Sequence, residues 1–159
     1  MVDGPSEGFD VKGHSQYLSL RLDHPLYVTS TSKLTGYLQA ARQTSETEMF
    51  NVLTVSDTSV KSLTAGLEQL WLKEGMTLYA NGQYIESWLK DYTFDNASRY
   101  RRLTGYLTWD HRLWKNWGYT VNAGAQRYLG GGEMASGDSF YLGTSSGVRG
   151  YENDTISAY

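Results

Sequence analysis

Alternation of apolar and polar side chains along short segments is the feature that most constrains this chain. Within residues 16–23, Leu18, Leu20 and Leu22 occupy every second position, and polar side chains fill the positions between them. A period of two places successive side chains on opposite faces of a β-strand, whereas a helix would scatter the leucines around its circumference. The segment therefore predicts a strand with one apolar and one polar face.

Five further segments share this period of two. A second strand is predicted to begin near Lys33, and four more are predicted over residues 60–71, 76–87, 99–110 and 119–128. Each of the six is about ten residues long, the length that a tilted strand needs to cross the hydrocarbon layer of a membrane. We interpret the chain as all-β, with strands over about residues 15–128.

The fourth strand has an alternative, because Asn81-Gly82 is a strong signal for a tight hairpin that would fold the segment back on itself. His24-Pro25 is expected to end the first strand, since proline cannot donate to a ladder of hydrogen bonds.

The connections are expected to alternate in length along the chain. Residues 42–59 are polar and predict a long loop, whereas Lys73-Glu74-Gly75 predicts a tight turn. Outer-membrane barrels keep short turns on the periplasmic side and long loops outside, and these connections sort onto two sides in that way.

Alternation alone leaves two kinds of barrel open. A soluble lipocalin-like barrel turns its apolar face inward around a small ligand, and a membrane barrel turns that face to lipid and its polar face to water. Aromatic rings near strand ends favour the membrane barrel, because indole and phenol rings settle at the level of the lipid headgroups. These residues are Trp71, Trp109, Trp114, Trp117 and Tyr119.

Composition argues against several classes of function. The net charge of -3 and the lack of a basic tract indicate no nucleic-acid partner. The chain has no cysteine, and its three histidines lack the spacing of metal ligands, so no metal or cofactor is expected. No nucleophile-elbow pattern is present, and we predict that the protein is not an enzyme.

A glycine-rich segment, residues 129–159, follows the last predicted strand and ends in Val148-Arg149-Gly150-Tyr151 and eight further residues. Glycine permits sharp backbone turns, and the planar guanidinium of arginine suits a fixed carboxylate or carbonyl acceptor. The segment indicates either a loop that places Arg149 in a specific acceptor site or an exposed hairpin with an incidental arginine.

The Val-Arg-Gly-Tyr motif, in a long loop after a membrane-length strand, resembles the sixth-loop motif of TpsB-type transporters of two-partner secretion. These form the haemolysin activator and secretion family within the BamA superfamily. The Leu20-Arg21-Leu22-Asp23-His24-Pro25-Leu26 segment also resembles a strand and turn of such transporters. The resemblance implies a partial transmembrane antiparallel β-barrel in the bacterial outer membrane, with the periplasmic POTRA domains and the remaining strands absent from this chain.

The resemblance also implies a function: export of a large, unfolded partner exoprotein of the haemolysin or adhesin type through a pore that contacts outer-membrane lipid. Arg149 would lie at the tip of a loop folded into the lumen and meet an acidic residue outside this chain. Residues expected to face the lumen are Arg21, Tyr37, Glu68, Gln83, Arg102 and Gln126. The alternatives are a BamA-like assembly factor for outer-membrane proteins and the soluble lipocalin-like barrel.

Overall fold

The computed structural model describes residues 11–49, 53–114, 117–135, 138, 141–142, 148–149 and 154–158. Six long strands are β1 (Val11–Val28), β2 (Ser32–Met49), β3 (Leu53–Lys73), β4 (Met76–Asp91), β5 (Asn96–Trp114) and β6 (Trp117–Gly131). Three short strands are β7 (Tyr141–Leu142), β8 (Val148–Arg149) and β9 (Asp154–Ala158). Among these residues there is no helix of the length and apolarity that a membrane crossing requires.

The long strands form one antiparallel sheet in which each pairs with its neighbour in the chain. This confirms the predicted all-β fold of six meandering strands. The segment expected to be entirely loop contributes a further strand, because β9 pairs with β6 from Ala123↔Ala158 to Arg127↔Asp154. Strands β7 and β8 pair only with each other, as a separate two-stranded sheet.

The long loop predicted over residues 42–59 is wrong. Strand β2 runs to Met49 and β3 begins at Leu53, so the two form a long hairpin. The prediction failed because this part of the hairpin carries polar side chains on both faces. The backbone ladder continues there without an apolar stripe to reveal it.

The alternative hairpin at Asn81-Gly82 is also wrong, and the continuous fourth strand is confirmed. Gly82 lies inside β4, opposite Leu67 on one side and Gly105 on the other. A strand paired on both edges cannot fold back at this point. The tight turn at residues 74–75 is confirmed, with Gly75 at a φ of 71°.

Proline does not end the first strand. Strand β1 continues to Val28, and the pairing with β2 shifts register between Pro25 and Tyr27. An edge strand tolerates proline at such an irregularity, because a backbone nitrogen that faces away from the neighbouring strand needs no partner there.

The apolar side chains of the strands lie together on one face of the sheet, and many of them are exposed on that face. The relative exposures are 75% for Leu18, 48% for Leu63, 36% for Leu107 and 37% for Val121. In a soluble barrel these side chains would form a shared dry interior. Their exposure contradicts the lipocalin-like alternative, which requires the apolar face inside.

The opposite, polar face is the more buried one. Its buried side chains are Thr35, Tyr37, Thr64, Ile85, Ser87, Tyr100, Thr104 and Gln126. Side chains on this face reach across an intervening strand, as when Arg21 of β1 contacts Glu68 of β3. The greater burial of this face, together with such contacts, fits a sheet that curls toward its polar side.

The exposed apolar band has the height of a membrane core. On β3 it extends from Leu63 to Trp71, about 26 Å along the strand before tilt is allowed for, and outer-membrane barrels carry apolar bands about 25 Å tall. Trp71, Trp109 and Tyr119 lie at the end of the band near the short turns, and Trp88 lies at the other end on β4.

Candidate functional site

A network of polar side chains on the inner face ties the first four strands together; we name it the strand cluster. Arg21 of β1 donates from Nε to Oδ1 of Asp23 and from Nη2 to Oε1 of Glu68 on β3, each at 2.8 Å. Its guanidinium carbon lies 3.8 Å from the ring centroid of Tyr37 on β2. The Tyr37 hydroxyl donates to Oε1 of Gln83 on β4 at 2.7 Å, so four strands share one network.

Gly66 makes room for this network. It lies on β3 directly between Tyr37 and Gln83 in the register of the sheet. A Cβ at this position would overlap the ring and hydroxyl of Tyr37, which pass over the glycine. The glycine therefore allows the tyrosine hydroxyl to reach β4, where Asn81 also donates to it at 3.1 Å.

A second network holds the chain that leaves β6; we name it the loop cluster. Arg102 of β5 donates to Asp138 twice, from Nη2 to Oδ1 at 2.8 Å and from Nη1 to the backbone carbonyl at 2.5 Å. The hydroxyl of the fully buried Tyr100 donates to the same carboxylate. Gln126 of β6 donates to the Asp138 carbonyl at 3.4 Å.

The route of the chain into the loop cluster begins at a bulge at the end of β6. Pairing with β5 shifts between Arg101 and Arg102, and Gly130 and Gly131 adopt φ of 97° and 121°. A Cβ on Gly131 would overlap the carbonyl oxygen of Arg99, so only glycine fits this close approach. The chain then turns over the inner face, where Ser98 donates to the Glu133 carbonyl at 2.7 Å.

All six residues expected to face a lumen lie on the buried, polar face. Arg21, Tyr37, Glu68 and Gln83 meet in the strand cluster, and Arg102 and Gln126 meet in the loop cluster. Sequence reasoning missed Asp138 and the role of Tyr100. Asp138 lies in a segment without periodicity, so nothing in the sequence indicated that its carboxylate returns to the sheet.

The motif that carried the resemblance is described only in part. The backbone of Val148 and Arg149 forms β8, with Arg149 opposite Tyr141 and Val148 opposite Leu142. The side chain of Arg149 and the whole of Gly150 and Tyr151 lie outside the described residues. The expected acceptor of Arg149 stays a prediction.

The two clusters line a polar groove. A cavity of about 220 Å³ lies between them, bordered by Gln39, Ser62, Thr64, Gln83, Arg102 and Asp138 among others. Hydroxyls and amides both donate and accept, so this surface can exchange hydrogen bonds with a polypeptide backbone. Within the ranges that the structure describes, no group of acidic or histidine side chains could hold a metal ion.

An antiparallel sheet with an exposed apolar band, a buried polar face and short turns at one end defines a segment of a membrane β-barrel wall. The family model for the haemolysin secretion/activation protein ShlB/FhaC/HecB matches residues 1–159, and the chain belongs to this family. No curated protein and no solved structure matches the chain.

Family membership gives the cellular location and the process in which this fold acts. Its members are outer-membrane transporters of Gram-negative bacteria that act in haemolysin secretion and activation by two-partner secretion, and the family is not one of enzymes. The family name implies a secreted partner of the haemolysin type. The family match supports a two-partner secretion transporter, and nothing in the comparisons points to the assembly-factor alternative.

Proposed function

We propose that this chain forms part of the wall of a pore that exports a large exoprotein of the haemolysin or adhesin type in an unfolded state. The observation that carries the proposal is the division of the sheet into an exposed apolar face and a buried polar face with two hydrogen-bonded clusters. In an outer-membrane barrel the first face contacts lipid and the second lines water.

The chemistry of the inner face suits a passing chain. An unfolded polypeptide presents a donor and an acceptor at nearly every residue, and the groove offers hydroxyl and amide groups for both. The arginines of the two clusters, Arg21 and Arg102, already form ion pairs with carboxylates of this chain. A carboxylate of a passing polypeptide would therefore have to compete with these partners to bind them. Weak and exchangeable contacts are what passage requires.

Adjacent positions on β3 provide a sharp test, because this chain has no cysteine of its own. Ser62 faces inward and Leu63 faces outward, so we would place a single cysteine at either position in the full-length protein. A partner exoprotein carrying a cysteine and arrested during export should form a disulfide with Ser62→Cys and not with Leu63→Cys. A lipid-soluble maleimide should label the cysteine of Leu63→Cys and should not label that of Ser62→Cys. Equal cross-linking at both positions would contradict the proposed lumen.

Arg149 has its own test within the same proposal. We infer that it latches its loop inside the lumen through a charge-assisted hydrogen bond, which is worth roughly 1.5 to 3 kcal/mol. Arg149→Ala in the full-length protein should reduce export of the partner while the assembled barrel remains detectable by its heat-modifiable mobility in gel electrophoresis. Unchanged export would reject the latch.

A further inference from the structure

A cationic pocket lies on the outward face, just beyond the apolar band at the end away from the short turns. Lys61, Trp88 and Arg99 stand side by side on three neighbouring strands, β3, β4 and β5. With Lys90 and Tyr92 they line a cavity of about 340 Å³. Lys61 lies two residues before Leu63 on the same face of β3, about 7 Å along the strand beyond the end of the apolar band.

The pocket carries net positive charge in a chain whose formal net charge is -3. Arg99 donates from Nε to Oε1 of Glu86 at 2.6 Å, yet its side chain stays 64% exposed. Among the described residues Lys61 and Lys90 form no ion pair with a carboxylate. Two further acidic side chains on this face that the structure describes, Glu46 and Asp57, lie farther from the band.

Aromatic rings hold two of the cations in place. The Nζ of Lys90 lies 4.7 Å from the ring centroid of Tyr92, and the guanidinium carbon of Arg99 lies 5.7 Å from that of Trp88. A cation over a ring face is partly pre-ordered for binding and still presents its outer hydrogens to a ligand. Trp88 itself lies at the depth where indole rings meet lipid headgroups.

We propose that Lys61, Lys90 and Arg99 bind the phosphate of an outer-leaflet lipid headgroup. The pocket lies on the side opposite the short turns, which is the outer side in outer-membrane barrels. The pocket also borders the exposed apolar band, because Lys61 lies two residues from Leu63 on the same face. A position beside lipid-facing leucines favours a phosphate that carries acyl chains over a soluble one. The proposal rests on the lipid-facing orientation and not on export.

The test compares two triple variants of the full-length protein with the same loss of charge. The test variant is Lys61→Gln, Lys90→Gln and Arg99→Gln, and the control variant is Lys33→Gln, Lys73→Gln and Arg112→Gln at the short-turn end. Bound lipid is counted by native mass spectrometry after titration with diphosphoryl lipid A or with its dephosphorylated form.

We expect the test variant to bind diphosphoryl lipid A roughly 100-fold more weakly than wild type, since each surface cation near a membrane contributes about a factor of five. The control variant should bind it as wild type does, and the dephosphorylated lipid should bind all three proteins weakly. Equal losses in both triple variants, or equal binding of the two lipids, would overturn the proposal.

Two further measurements separate the remaining explanations. Lys61→Arg with Lys90→Arg keeps the charges and should keep the affinity, whereas a loss would show that the substitutions act through folding and would overturn the proposal. Millimolar inorganic phosphate should displace little of the lipid. Complete displacement would mean that the pocket takes free phosphate, and the lipid assignment would fail.

Discussion

The strand cluster and the loop cluster each place one arginine against carboxylates on the inner face, but the origin of those carboxylates differs. Arg21 pairs with Asp23 on its own strand and with Glu68 two strands away. Arg102 pairs with Asp138, which belongs to the segment after β6. The first arginine fastens strands to each other, and the second fastens a loop to the strands.

This difference bears on what each network can do. The strands of the first cluster are already held by continuous backbone ladders, so its side chains add to a structure that forms without them. Among the described residues, Asp138 has one backbone hydrogen bond to its own segment, from its amide to the Ala135 carbonyl at 2.9 Å, and its contacts with the sheet come from side chains of β5 and β6. Its position therefore depends on Tyr100, Arg102 and Gln126, and weakening them should release it.

The largest effect is expected from Gly66→Ala, which breaks the strand cluster and leaves the loop cluster intact. The added Cβ would overlap the Tyr37 ring and force it away from Gln83 and Asn81. Overpacking of this kind costs about 2 to 3 kcal/mol in the free energy of unfolding, measured by urea denaturation of the full-length protein. Gly82→Ala is the control, because nothing lies within 4 Å of its Cβ position. Equal losses in the two variants would show that the ring overlap does not matter.

Arg102→Met should have the next largest effect, confined to the loop cluster. It removes two hydrogen bonds to Asp138, and of the described donors to that carboxylate it leaves the Tyr100 hydroxyl. We expect about 2 kcal/mol less stabilisation of the docked segment, a roughly 30-fold larger undocked fraction. The undocked fraction is measured by the rate of amide hydrogen exchange over residues 132–138.

The control for Arg102→Met is Arg99→Gln, whose carboxylate partner Glu86 lies on a strand and not on the loop. Exchange over residues 132–138 should stay near the wild-type rate in that variant. If the two variants raise the exchange equally, then Asp138 is not held by Arg102 in particular.

The sequence predicted the elements of the strand cluster well, because the period of two directly encodes which side chains share a face. Once Leu63 was assigned to the apolar face, Glu68 followed on the polar one, and the structure places it there. Cross-strand contacts could not be predicted, since they depend on the register between strands. Pro25 marked a place where the ladder is interrupted, but not that the strand continues past it with a shifted register.

The contacts of the loop cluster could not be predicted, although the sequence placed Arg102 and Gln126 on the polar face. The cluster depends on the bulge at Gly130 and Gly131, which the sequence indicated only as a place where the chain can turn. The direction of that turn is set by the close approach of Gly131 to Arg99, a tertiary contact. The end of β2 was predicted too early and the start of β3 too late for a related reason. Beyond the membrane both faces of a hairpin are polar, so the alternation of apolar and polar side chains is no longer visible in the sequence.

Tyr100→Phe sharpens the comparison by removing the hydroxyl that Tyr100 contributes to the loop cluster. The ring stays buried, but the hydroxyl that donates to Asp138 is lost. One hydrogen bond to a carboxylate beside its arginine partner is worth about 1 kcal/mol here, so the exchange over residues 132–138 should rise roughly fivefold. Combined with Arg102→Met, the loss should exceed that of either single variant. A double variant no worse than Arg102→Met would mean that the phenol has no independent part in holding Asp138.

The smallest effect is expected from Arg21→Gln in the strand cluster. Although Arg21 contacts two carboxylates and the Tyr37 ring, its side chain is 35% exposed, and solvent screens such pairs to about 0.5 kcal/mol each. The free energy of unfolding should fall by less than about 1 kcal/mol, and added salt should narrow the gap to wild type. Arg112→Gln, exposed at the short-turn end, is the matched control and should be neutral. A loss as large as that of Gly66→Ala would show that the arginine, and not the tyrosine seated on its glycine, holds the four strands together on the inner face.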